Sequence, residues 1–112
     1  MPYDEKLANR VRDVLVTEDG VTERKMFGGL AFMLRGHMVC GVCGADGEDL
    51  MLRLGADAAE RALERPHVRP MDFTGRPMAG MVYVGPEGLR GAGLRRWVGK
   101  AVGFVASLPP KG

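Results

Sequence analysis

The chain has 112 residues, enough to bury one core and too few for two independent ones; 46% hydrophobic and 27% charged residues exclude a disordered polymer. Sixteen basic against fourteen acidic residues leave a formal charge of +2, so any attraction to nucleic acid has to come from a local patch rather than the overall field. No apolar run approaches the ~18 residues of a membrane span, and the charged start Met1-Pro2-Tyr3-Asp4-Glu5 lacks a signal peptide's apolar core. The expected location is therefore cytoplasmic, with both cysteines as reduced thiols.

In chain order, Asp4 is placed to cap a helix whose stripe is Leu7, Val11, Val14 and Leu15, followed by Asp19-Gly20. From Val21 the period changes to two. Thr22 to Phe27 reads as a half-exposed or edge strand, broken by Gly28-Gly29. Leu30 to Arg35 and His37 to Cys43 read as strands joined at Arg35-Gly36-His37, where glycine suits a hairpin's positive φ. After Asp46-Gly47, Asp49 to Leu54 completes an antiparallel meander of four strands.

Alternation puts Leu30, Phe32, Leu34, Leu50, Leu52 and Leu54 on one apolar face. Ala31, Met33, Met51 and Val39 make the other face greasier than a solvated one, as expected of a partly covered face or a contact surface. A short helix starts at Asp57, with Glu60 three residues on as in a capping box and Ala59, Ala62 and Leu63 packing inward, and stops before Pro66. Pro66, Pro70, Gly75 and Pro77 then punctuate a crossing loop over residues 66–80, anchored by Phe73. Met81 to Val84 is a fifth strand, Pro86 to Gly93 a loop or loose first turn, and Leu94 to Leu108 the longest helix, which Pro109-Pro110 ends.

Little in this order carries recognisable chemistry. Cys40 and Cys43 have C-x-x-C spacing and His37 and His67 would complete a zinc quartet, but three residues apart on a strand they point to opposite faces. Structural thiols are the expectation, with no metal or cofactor called for. No serine stands in an elbow motif and neither histidine has a carboxylate at a telling spacing, so the chain does not read as an enzyme. Gly28-Gly29 lacks the Lys-Ser/Thr and the helix of a phosphate loop; it reads as a structural break where backbones come close. Arg90, Arg95, Arg96 and Lys100 gather charge near the last helix, yet without aromatic interleaving or a helix-turn-helix pattern they do not favour direct DNA contact. The methionines fill a core poor in aromatics, or form an adaptable surface.

Four segments together carry a resemblance. Tyr3-Asp4-Glu5 opening a helix, VTERKMFGGLAFMLRGHM (Val21 to Met38), ERPHVRPMDFTGRPM (Glu64 to Met78) and LRRWVGKAVGFVASLPPK (Leu94 to Lys111) make the chain similar to the TfoX/Sxy family, specifically its N-terminal domain. The resemblance implies one α+β domain, similar to the secretion-chaperone-like arrangement, with a meander sheet and helices before, within and after it. It further implies kinship with competence regulators, which act on transcription with a cyclic-AMP receptor protein and carry a second helical domain. Ending at Gly112, this chain looks like a stand-alone member, with no catalytic residues to carry over. Arg90-Gly91-Ala92-Gly93 departs from the acidic helix start expected there, weakening that turn.

The expected function is a regulatory or protein-interaction module, meeting a partner or a second copy of itself as a homodimer. The alternative is a small-molecule site between Phe27, Phe73 and the helices. The candidate contact residues are Lys25, Phe27, Gly28, Gly29, Met33 and Met51, with Asp72, Phe73 and Arg76 of the crossing loop.

Overall fold

The computed structural model describes residues 3–26, 28–44, 47–73 and 76–109, the side chains of residues 72, 73, 76 and 77 excepted. Helix α1 (Glu5–Leu15) begins where the Asp4 carboxylate accepts hydrogen bonds from the backbone N–H groups of Lys6 at 2.9 Å and Leu7 at 3.4 Å, the expected N-cap. Four strands follow: β1 (Val21–Met26), β2 (Gly29–Leu34), β3 (His37–Cys43) and β4 (Asp49–Arg53). Leu34 faces His37 across a two-residue turn in which Arg35 and Gly36 both have positive φ (49° and 87°), the backbone that matches strand twist in the shortest hairpins.

Helix α2 (Ala56–Ala62) leads to β5 (Val68–Phe73) and β6 (Arg76–Val84); a 3₁₀ turn (Pro86–Leu89) precedes helix α3 (Gly93–Ala106). The six strands form one antiparallel sheet in the order β1-β2-β3-β4-β6-β5. The α+β class holds and the element order holds apart from one added strand, with six strands among the described residues in place of the expected five.

The difference is local. Residues 66–80 are not a crossing loop: most of them form β5 and the first half of β6. Pro70 sits on β5, an edge strand, and Pro77 precedes the stretch Met81–Val84 where β6 pairs with β4. At both places a missing N–H costs a sheet little. The start of α2 also differs. Gly55, with φ 86°, occupies the N-cap without a side-chain cap, Asp57 already lies in the first turn, and Leu63 is 39% exposed while Ala59 and Ala62 are buried. The expected capping box is therefore absent from this helix, because the N-cap falls two positions earlier, on a glycine of positive φ.

One face of the sheet, carrying Phe32, Leu34, Val42, Leu50, Leu52 and Val82, packs under Leu7, Val11 and Leu15 of α1 and Leu94, Val98 and Ala101 of α3. Val39 belongs to this face too, contrary to strict alternation. A bulge sets Phe32 against Cys40 and Met33 against Met38, leaving Val39 as the extra residue of β3. On the opposite face Cys43, Met51, Met71, Met81 and Tyr83 form a second buried cluster with Met38 and Met78 against it. The expectation that this face is greasy holds, and β5 and β6 extend it with Met71, Met81 and Tyr83.

Candidate functional site

A groove of about 500 Å³ lies between α2 and α3. Its walls follow from helical spacing: Ala58, Arg61, Ala62 and Arg65 recur at i, i+3, i+4 and i+7 along and just past α2, and Trp97, Lys100 and Phe104 at i, i+3 and i+7 along α3. Leu54, just past β4, closes the bottom. Gly55 is needed beside it, since a Cβ there would stand 2.6 Å from Cε1 of Phe104, a ring that lies against this backbone.

A smaller recess of about 230 Å³ continues the groove past Arg65, Trp97 and Lys100 to His67, Gly88, Gly93 and Arg96. His67 has a φ of 67°, uncommon for a residue with a Cβ. Its carbonyl accepts a hydrogen bond from the Gly85 N–H at 2.9 Å, and a Cβ on Gly88 would come within 3.2 Å of its own Cβ, so glycine leaves room for it.

The charge along this trough has one sign. Arg61, Arg65, Arg96 and Lys100 line the two cavities without any carboxylate, and among the described residues none of the four forms an ion pair. The Arg65 guanidinium lies 5.9 Å from the Trp97 ring centroid and that of Arg53 5.8 Å from the Phe104 ring, within reach of a cation–π attraction. Asp57, Glu60 and Glu64 line a separate recess with Arg61. The arrangement suits recognition of an anion with apolar surface.

Shifted protonation equilibria lie elsewhere and have structural causes. The Glu23 carboxyl is lowered by the Arg12 guanidinium, which donates to it at 2.7 and 2.8 Å between α1 and β1. Arg69 is raised by its bond to Asp49 and stacks 4.8 Å from the Tyr83 centroid. Burial pushes Cys40 up to about 12, helped by Cys43, and Cys43 up to about 11, against a hydrogen bond from Tyr83 that lowers it.

Cys40 and Cys43 belong to separate clusters on opposite faces, as the strand spacing predicts, and no group of three or more metal-ligating side chains occurs among the described residues. Both thiols are expected to react with an aromatic disulfide reagent at neutral pH about 10³-fold or more slowly than in denaturant, through unfolding alone. Because their folded pKa values are raised, the stability they confer is complete below the ordinary thiol range near pH 8.5. It is lost as pH climbs toward about 11 and 12, which pH-dependent denaturant melts would register.

The residues singled out from sequence do not converge. Lys25 is exposed on the edge strand β1, whereas Asp72, Phe73 and Arg76 belong to the β5–β6 hairpin at the opposite edge; Phe27 and the side chains of those three lie outside the described residues. Gly28 has φ 72° with open space around it, and Gly29 abuts β3. Met33 is half-buried and Met51 fully buried. Of the groove residues, Arg96 and Lys100 stand out in the sequence as part of a charge cluster. Arg61, Arg65 and Phe104 do not, and their signal is the i, i+4 arginine pair beside alanines and the i, i+7 aromatic pair.

No helix among the described residues is long and apolar enough to cross a membrane. The family described as TfoX N-terminal domain matches residues 13–105. Searches of the curated proteins and of the solved structures found no match.

Proposed function

The chain belongs to the TfoX N-terminal domain family, and from that premise we propose that it is a non-enzymatic regulatory module that works by binding a partner protein. The observation that supports this reading is the α2–α3 groove, with cations on both walls, aromatic and small apolar side chains between them, and no carboxylate. Interfaces favour such Trp- and Arg-bearing concavities, where a charged rim sets specificity and an apolar floor supplies affinity. A role like that of the competence regulators would use the domain as the part that recognises another protein.

The test is affinity capture from source-cell extract with the wild-type chain and with an Arg65→Glu/Lys100→Glu variant as bait. Both positions are exposed, so the variant should melt within a few degrees of the wild type. It is expected to hold its partner at least tenfold more weakly, about 1.4 kcal/mol. Equal retention by the two baits, or no specific retention by either, would overturn the reading.

A further inference from the structure

We propose that the occupant of the groove is an acidic amphipathic helix of the partner, lying between α2 and α3 as a third helix. This rests on the protein-interaction reading and goes beyond it by naming the partner's chemistry. Shape is the first argument. From Gly93 to Phe104 the lining follows α3 for eleven residue rises, about 16 Å, so the trough accommodates roughly three helical turns.

Its cross-section is the second. Ala58 and Ala62 form a low floor on the α2 side, and small residues let a helix backbone come close. Trp97 and Phe104 line the trough seven residues apart on α3, the first buried in the core with 8% of its surface exposed and the second half-buried, a spacing that meets side chains at i and i+7 of an incoming helix. Charge is the third. Arg61 and Arg65 stand along the α2 rim and Arg96 and Lys100 along the α3 rim. A helix whose apolar stripe is flanked on both sides by glutamate or aspartate matches this pattern point for point. A nucleic-acid duplex matches it poorly, because it would leave the apolar floor between the two helices unused.

Trp97 is the only tryptophan of the chain and sits in the trough, so its fluorescence reports occupancy. The probe is a library of stapled helices of about 14 residues, roughly four turns, with glutamates fixed on both sides of a stripe whose apolar positions vary among Leu, Ile, Met and Phe. Selected members are expected to shift the Trp97 emission, to weaken at least tenfold when glutamine replaces the glutamates, and to weaken again with added salt. The Arg61→Glu/Lys100→Glu variant should lose them by a similar factor while keeping its melting temperature.

Failure of every acidic helix to bind, or equal binding by the glutamine versions, would overturn the proposal. So would a Trp97 response to inorganic phosphate or a short DNA duplex that exceeds the response to any helix. If no helix binds while the charge-reversed bait still loses its partner, the helix is wrong and the protein-interaction reading stands. If the bait shows no dependence on groove charge either, both fall.

Discussion

The Gly29→Ala variant is expected to lose about 3 kcal/mol or more, some 10–15 °C of melting temperature for a domain of this size, although it adds a single methyl group. Gly29 opens β2 against the end of β3. A Cβ there would intrude on the carbonyl oxygen of Val42 and stand 2.8 Å from Cβ of Cys43. Neither neighbour can swing aside as a flexible side chain would, since the first is backbone in a paired strand and the second is buried. Gly28 is the control. It has φ 72°, and a Cβ at this position would meet nothing within 4 Å, so Gly28→Ala costs only the left-handed penalty of about 1–2 kcal/mol, and Gly28→Asn, whose side chain tolerates that region, less. Urea melts of the three variants check this: a Gly29→Ala loss no greater than that of Gly28→Ala would show that β2 and β3 can part to admit a methyl group.

The same pair shows what a sequence can disclose. Two adjacent glycines announce a backbone requirement, and the absence of Lys-Ser/Thr and of a following helix rejects a phosphate cradle. That one glycine serves conformation and the other proximity depends on β3, which lies elsewhere in the chain. Local signals placed the Asp4 cap, the Arg35-Gly36 turn and the strands of the meander, because capping, turn chemistry and two-residue periodicity act over a few residues.

The β5–β6 hairpin was hidden because Pro70 and Pro77 read as loop punctuation unless their place on an edge is known. Val39 changed faces through a bulge whose partner positions are not written in β3 itself. The groove joins the segment around α2 to α3, more than thirty positions apart, so its cations could be counted from sequence but not assembled.

The Met51→Ala variant is expected to lose about 2–5 kcal/mol, as fully buried large-to-small changes do, whereas Met33→Ala should stay within about 1 kcal/mol. Strand alternation assigns the two methionines to one face and invites a shared role as contact residues. Packing separates them. Met51 is 0% exposed among Met71, Met81, Tyr83 and Cys43, and its Cε lies 3.0 Å from where a Gly41 side chain would begin, so it is laid over bare backbone that leaves no space for a partner. Met33, half-buried on β2 opposite Met38, has fewer atoms to lose contact with. A flexible thioether suits the Met51 position because the surface it fills is assembled from three strands with a bulge at Pro70–Asp72. Thermal melts paired with partner capture decide the matter: a core residue lowers stability and leaves the affinity of the folded fraction unchanged, while a contact residue does the reverse. Loss of capture by Met51→Ala at an unchanged melting temperature would restore this face of the sheet as a binding surface and remove the ground for placing recognition at α2 and α3.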